Sequence, residues 1–379
     1  MAISIRGLCR LNIGLANNVF TKPNFLNAGV RFFYSEKSLG VTAYENTRFL
    51  FRNQFMSIED TFRNKMQEVC DKEDGVIFTE DLKAMLHLAH NTETDMHLII
   101  KMIEKYLACN KDLKFGTYTF GPVVMRMFYY LNEPNIALSA FKNPSFNDFF
   151  NQRASFQLLM CLLFKHNMYN EMKEIYDSAL ENEMKTGLIS YCLVVMLGAL
   201  YKQNTAEAFQ NSLKYWKCMT DRSFPPSCRS TTILAALAVK QNSPEIAVEV
   251  LSTVRRQHFI DVRCIKVLAY MQLKKYVQII PLFKQTLEQD TTPTNRQTYF
   301  ADVIYALEDN LKGENTEGLE ELYQLIENLK KQERLTTHIT LDENLMKSIN
   351  FATAAERNKL RTGRDVRGGM FRTGLRNIL

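Results

Sequence analysis

Glycine and proline are scarce in this chain, at 15 and 9 of 379 residues, about half their usual combined share of roughly 12%. An all-β fold spends those residues on its many tight turns, so a helical architecture is expected instead. Long apolar runs are also missing. The longest, from Tyr191 to Tyr201, falls short of the roughly 18 to 20 residues that span a bilayer, and no integral membrane insertion is expected. The eight cysteines (Cys9, Cys70, Cys109, Cys161, Cys192, Cys218, Cys228 and Cys264) are dispersed, without CxxC or zinc-finger spacing. They read as reduced thiols and exclude the dense disulfide framework of a small secreted domain. The phosphate-binding GxxxxGK[ST] loop, the dinucleotide glycine fingerprint, the GxSxG elbow and HExxH are all lacking. No catalytic residue, metal ligand or cofactor is therefore expected. His87-x-x-His90, with His97 nearby, would set two imidazoles on one helical face. With no third ligand at metal-binding spacing, packed or solvent-facing histidines are the expectation.

Acidic residues are absent from the first 35 positions, which contain Arg6, Arg10, Lys22 and Arg31. That composition matches a positively charged amphipathic mitochondrial transit peptide. Arg31-Phe32-Phe33-Tyr34-Ser35 resembles the arginine-aromatic-serine sequence of matrix processing sites, and the first acid, Glu36, follows at once. The other end is basic too: residues 357–379 carry seven basic side chains against Asp365 alone. The body between, residues 36–356, has a net charge of −4 although the whole chain is +6, so it is not a uniformly cationic surface.

What is plentiful is a repeat. Ala154-Ser155-Phe156-Gln157-Leu158-Leu159 and Ile189-Ser190-Tyr191-Cys192-Leu193-Val194 place their Ser-aromatic pairs 35 residues apart. Each pair opens a stripe at helical spacing: Phe156, Leu159, Met160 and Leu163 in one, and Tyr191, Val194, Val195 and Gly198 in the next. Polar breaks follow at Lys165-His166-Asn167, Lys202-Gln203-Asn204 and Lys240-Gln241-Asn242, with Leu273-Lys274-Lys275 as a weaker fourth. Second amphipathic helices come after the breaks, one with Met172, Ile175, Tyr176 and Ala179, another with Ala247, Val250, Leu251 and Val254. A helix-turn-helix unit of this size cannot bury its own apolar face, so neighbours must stack. The expected fold is all-α, an α-solenoid of about seven hairpins. Its expected organisation is a transit segment at 1–35, a loosely ordered leader at 36–54, the repeat domain at 55–332, a helical segment at 333–352 and a basic Arg/Gly-containing tail at 353–379. The clearest repeats are 153–187, 188–224 and 227–260. Pro281 is expected to kink the second helix after Lys274 or to end it early.

The period near 35 with a Ser-aromatic start resembles the pentatricopeptide repeat, and lacks the Trp, Gly, Tyr and Pro pattern of the tetratricopeptide repeat. Lys114 to Pro122, Ala154 to Leu163 and Tyr201-Lys202-Gln203-Asn204 extend the likeness to animal mitochondrial members over about residues 60 to 255. The resemblance implies a mitochondrial matrix protein that binds single-stranded RNA and supports maturation, processing or stability of transcripts, and so the respiratory chain. It also implies a base-reading code, which falls on Gln157 with Gly187, on Cys192 and on Ser230. Gln157 and Cys192 depart from the usual Asn, Ser or Thr at that position.

Basic side chains give the other candidate contacts to RNA: Arg153 and Arg229 on the repeats, and Arg357, Arg361, Arg364, Arg367, Arg372 and Arg376 in the tail with Lys359. Arginine forks match phosphate oxygens and stack on bases. Arg255, Arg256 and Lys266 are further candidates, whereas Phe156, Tyr176, Tyr191 and Trp216 read as core. The alternative function is a protein-interaction scaffold for RNA-processing, ribosomal or respiratory assembly partners, which the acidic body favours.

Overall fold

The computed structural model describes residues 33–110, 118–181, 186–222, 224–288, 296–312 and 319–348. The chain begins with α1 (Glu36–Leu39), α2 (Val41–Phe55) and α3 (Glu59–Asp71). Seven hairpins follow: α4 (Thr79–Leu88) with α5 (Glu93–Asn110), and α6 (Gly121–Leu131) with α7 (Pro134–Lys142), then, after the short α8 (Asn147–Phe150), α9 (Arg153–Lys165) with α10 (Tyr169–Glu181). Next come α11 (Thr186–Gln203) with α12 (Ala206–Asp221), α13 (Cys228–Lys240) with α14 (Pro244–Ser252), α15 (Ile260–Gln272) with α16 (Ile280–Glu288), and α17 (Ala301–Leu311) with α18 (Glu320–Lys331). A five-residue helix, α19 (Leu341–Leu345), ends the series. First helices pack on first helices, from α6 through α9, α11, α13 and α15 to α17. The fold is a stack of helical repeats, and its only sheet among the described residues is a parallel pair, β1 (Tyr299–Phe300) on β2 (Leu335–Thr336), in register Tyr299 to Leu335.

The polar breaks are left-handed helix ends. Asn132, Asn167, Asn204, Asn242 and Lys274 take φ of 64°, 57°, 48°, 52° and 54°, a region that asparagine tolerates better than most side chains. The following N–H then reaches back over the helix end: Met168 donates to the Leu163 carbonyl at 3.0 Å, Ser243 to Ala238 at 2.9 Å and Lys275 to Tyr270 at 2.9 Å. Those bonds satisfy carbonyls that a helix C-terminus otherwise leaves orphaned. The same tripeptides stitch adjacent hairpins together. Lys165, Lys202 and Lys240 lie over the rings of Tyr129, Phe164 and Tyr201 of the preceding unit, at 5.3, 4.6 and 4.2 Å from the centroid. Gln241 donates to Asn204 Oδ1 at 2.8 Å, and the His166 ring stands 3.0 Å from Asn132 Oδ1.

Two features depart from the expectation. Residues 36–54 are not a loose leader: α2 packs across α4 and α6, with the Tyr44 hydroxyl donating to the Leu86 carbonyl at 2.6 Å and Arg48 to the His87 carbonyl at 2.9 Å. Gly40, at φ 75°, makes the corner between α1 and α2, and Arg126 of α6 donates to the Leu39 carbonyl beside it at 3.0 Å. Residues 1–32 of the expected transit segment lie outside the described residues. Phe33 and Tyr34, its last aromatics, are buried in the core. The second departure is Pro281, which neither kinks nor ends a helix. A 3-10 turn (Tyr276–Gln278) precedes it, and Pro281 is the second residue of α16, where its missing N–H would have had no helical partner.

Candidate nucleic-acid interface

The first-helix side of the stack is covered from both ends. The N-terminal strap of residues 33–55 runs over α4 and α6, places the Phe33 ring edge-on to Phe164 of α9 at 5.2 Å and bonds Tyr34 Oη to the Tyr191 carbonyl of α11 at 2.7 Å. From the other end, α19 packs on α13 and α15. Asp342 accepts from Lys240 at 2.6 Å and from the Tyr201 hydroxyl, Asn344 donates to Asp261, and the Leu341 N–H to Asp302 of α17 at 3.0 Å. Leu341 and Leu345 are buried by this docking.

Between strap and α19 lies an open groove of about 860 Å³, walled by Tyr34, Tyr191, Phe224, Arg229, Arg256, Phe259 and Asp261 among others. Its lining combines planar faces with cations. Tyr191 is 45% and Phe224 42% exposed, and the Arg153 guanidinium lies 4.0 Å from the Tyr191 ring centroid. Arg256 stands 5.6 Å over the Phe259 ring. Arg229 reaches Asp261 at 3.1 Å, and burial raises the Asp261 carboxyl above its ordinary value, against the pull of that arginine. With Arg229 and Arg256 against Asp261 in its lining, and Arg153 behind Tyr191, the groove is net positive inside a body that is net acidic. Cys228 also lines it, its thiol pushed up by burial and so a poor nucleophile.

The expected site residues are placed unevenly. Arg153 and Arg229 meet at this groove, Arg153 through Tyr191 and Arg229 directly. The code positions do not share it. Cys192 is fully buried and burial holds its thiol well above the ordinary range, so no base can reach it. Ser230 is buried too, its hydroxyl 2.8 Å from that of Ser227. Gln157 is half-buried in α9 and Gly187 lies in the first turn of α11. Arg357, Arg361, Arg364, Arg367, Arg372 and Arg376 lie outside the described residues.

Tyr191 corrects the expectation of a core side chain. Its counterpart Phe156 is covered, 6.1 Å from Phe141, which in turn stands 6.1 Å from Phe150 of α8. Tyr191 instead turns to the groove, as do Phe224 and Phe259, which the repeat pattern did not single out. The Pro225-Pro226 connection carrying Phe224 was a usable signal, since a lengthened inter-repeat link has to stand off the stack. Arg256 was a candidate by charge alone.

The histidines do not converge on an ion. His87 stacks on Phe51 and Tyr44 at 4.9 and 5.0 Å, with Nδ1 2.7 Å from the Lys83 carbonyl. His90 faces Arg63 Nη2 at 3.0 Å. Among the described residues no group of three or more His, Cys, Asp or Glu is placed to hold a metal, and no helix is long and apolar enough to cross a membrane.

The chain is similar to mitochondrial pentatricopeptide repeat-containing protein 2 of several vertebrates. It is 25% identical to the Mus musculus protein over 256 residues, 66% of this chain and 65% of that one. The Xenopus laevis protein is 26% identical over 214 residues, 56% of this chain and 54% of its own, and the Homo sapiens protein 24% over 248 residues, 65% and 63%. The chain thus spans between 54% and 65% of the length of these curated relatives. No family model and no solved structure matches it.

Proposed function

We propose that this chain is a mitochondrial matrix protein that binds single-stranded RNA without catalysis and supports the maturation, processing or stability of transcripts. The observation that carries the reading is the groove, where a half-exposed Tyr191 backed by Arg153 faces Phe224, Arg229 and Arg256. Aromatic faces stack bases of any identity, and arginines meet the phosphates between them. The mitochondrial names of the relatives and the acid-free, Arg-bearing N-terminus support the compartment. The basic tail would add phosphate contacts beyond those of the groove arginines.

The test is affinity of residues 33–379 for a pool of mitochondrial transcripts across a salt series. Base stacking on an aromatic is worth about 1–3 kcal/mol, so Tyr191→Ala is expected to weaken binding roughly 5- to 150-fold. Arg153→Gln is expected to lower the salt slope by about 0.7. Binding no tighter than to a polyanion control, with the protein folded, refutes the reading.

A second reading has its own observation. Phe49, Leu50, Met56 and Ile58 of the α2–α3 region are more than half exposed, a patch of the kind that marks protein interfaces. A scaffold for RNA-processing, ribosomal or respiratory assembly proteins would use it, and a Phe49→Ser, Met56→Ser double variant would then lose its partner while retaining RNA.

A further inference from the structure

Phe33 and Tyr34 are 1% and 2% exposed although they close a segment whose composition marks it for removal. The Phe33 ring fills a slot that exists because residue 198 of α11 is glycine: a Cβ there would come within 2.1 Å of two ring carbons. Its edge meets Phe164 of α9, so one side chain bridges two successive first helices. Tyr34 hydrogen-bonds the Tyr191 carbonyl and is itself part of the groove wall. Ser35 caps α1 by accepting from the Ser38 N–H at 3.2 Å. Three consecutive residues are thus built into the fold.

We propose that the transit segment is cut at or before the Phe32–Phe33 bond, so that the mature chain keeps Phe33-Tyr34-Ser35 as a plug that completes the repeat core and shapes the groove. The step is hydrolysis by a presequence-processing endopeptidase: one water is consumed, the transit segment leaves with a new carboxylate, and the retained chain gains an α-ammonium group. A cut after Tyr34 or Ser35 would leave the Gly198 slot empty and the Tyr191 carbonyl without its phenol donor. Once the chain is folded those later bonds are also closed to a protease, which needs the backbone extended and exposed. The inference rests on removal of the transit segment and not on RNA binding, so its failure and that of the RNA reading are separable.

The first measurement is the N-terminus of the protein recovered from mitochondria, read by mass spectrometry. A first residue at Phe33 or a little upstream is expected. A start later than Phe33 overturns the plug as a part of the mature protein, and an intact start at residue 1 or 2 overturns the removal. The second compares thermal unfolding of chains beginning at 33 and at 36, together with Phe33→Ala and Gly198→Leu in the longer chain. Emptying or blocking a buried phenylalanine site is expected to lower the midpoint on the order of 10 °C, and Gly198→Leu to cost the chain beginning at 36 much less than the longer one. Equal midpoints for the longer chain and its Phe33→Ala variant overturn the structural role even if the chain beginning at 36 fails to fold.

Discussion

Asn242→Ala and Asn242→Gly are expected to part company by about 1 kcal/mol, although the two products differ by one methyl group. Asn242 holds φ at 52°, where an L side chain costs roughly 1–2 kcal/mol relative to glycine unless, as with asparagine, a short polar group compensates locally. Alanine keeps the Cβ and loses the compensation. Glycine removes the strain but gains freedom in the unfolded chain, worth about 0.4–1 kcal/mol the other way, so Asn242→Gly should be close to neutral. Asn204 stands at the same backbone conformation, φ 48°, but its Oδ1 also accepts from Gln241 of the next hairpin at 2.8 Å. Asn204→Gly is therefore expected to cost a further 0.5–1 kcal/mol or so, a typical net hydrogen bond reduced by exposure. A cycle with Gln241→Ala should return most of that difference as coupling. Urea unfolding followed by far-ultraviolet circular dichroism reads all of these. Identical midpoints for Asn242→Ala and Asn242→Gly would refute the strain argument, and zero coupling in the cycle would refute the inter-hairpin bond.

Two further outcomes concern ionisable groups. His87 is held below its ordinary value, chiefly by burial and then by the Arg48 and Lys83 charges, against its bond to the Lys83 carbonyl. A depressed folded value means that its contribution is present above about pH 6.5 and is lost as pH falls through the folded value. His87→Phe should flatten the loss of stability on acidification below pH 6.5 in thermal melts, and an unchanged pH profile would count against a buried neutral imidazole. Asp261 is shifted the other way, up by burial and down by Arg229 and Asn344. Arg229→Gln removes the strongest downward pull, so the carboxyl should rise further. A raised group stabilises below its unfolded value and loses that contribution as pH climbs. The variant is expected to fall furthest behind the parent at pH 7 and to approach it near pH 4, and a constant deficit across that range would show the pair to be inert.

The helical repeat was legible because it is written at short range. Phe156, Leu159, Met160 and Leu163 are a helical stripe before any neighbour exists, and all four are buried as that spacing requires. The tripeptides ending at Asn167, Asn204 and Asn242 looked like mere polar breaks, yet they fix the turn through the last residue and join the units through the lysine and glutamine before it. What stayed hidden depends on contacts far apart in sequence. Tyr191 and Phe156 occupy equivalent positions, and only the covering residues Phe141 and Phe150 decide which is core. Gly198 reads as the small end of a stripe until Phe33, 165 positions earlier, is seen in its slot. The covering of the first helices by residues 33–55 and by α19 lies outside the 35-residue repeat, and its contacts join positions far apart in sequence, as Tyr34 with Tyr191 and Asp342 with Lys240.

That covering changes how the stack can bind. In a regular repeat protein each unit offers an equivalent strip, and a strand lying along them is read unit by unit. Here α2 occupies the strips of α4 and α6, Phe33 and Tyr34 take part of those of α9 and α11, and α19 lies on α13 and α15. The buried Cys192 and Ser230 belong to the same picture: a position sealed by packing has nothing to read. Between these coverings a groove of about 860 Å³ stays open, within the roughly 300–1,000 Å³ class of small-ligand clefts. Such a volume holds a few stacked bases and not a strand running past seven hairpins. On the RNA reading proposed above, affinity beyond those bases would come from phosphates, and the density of cations is highest in residues 357–379. That reading predicts strong salt dependence and shallow sequence preference, the opposite of a base-by-base code.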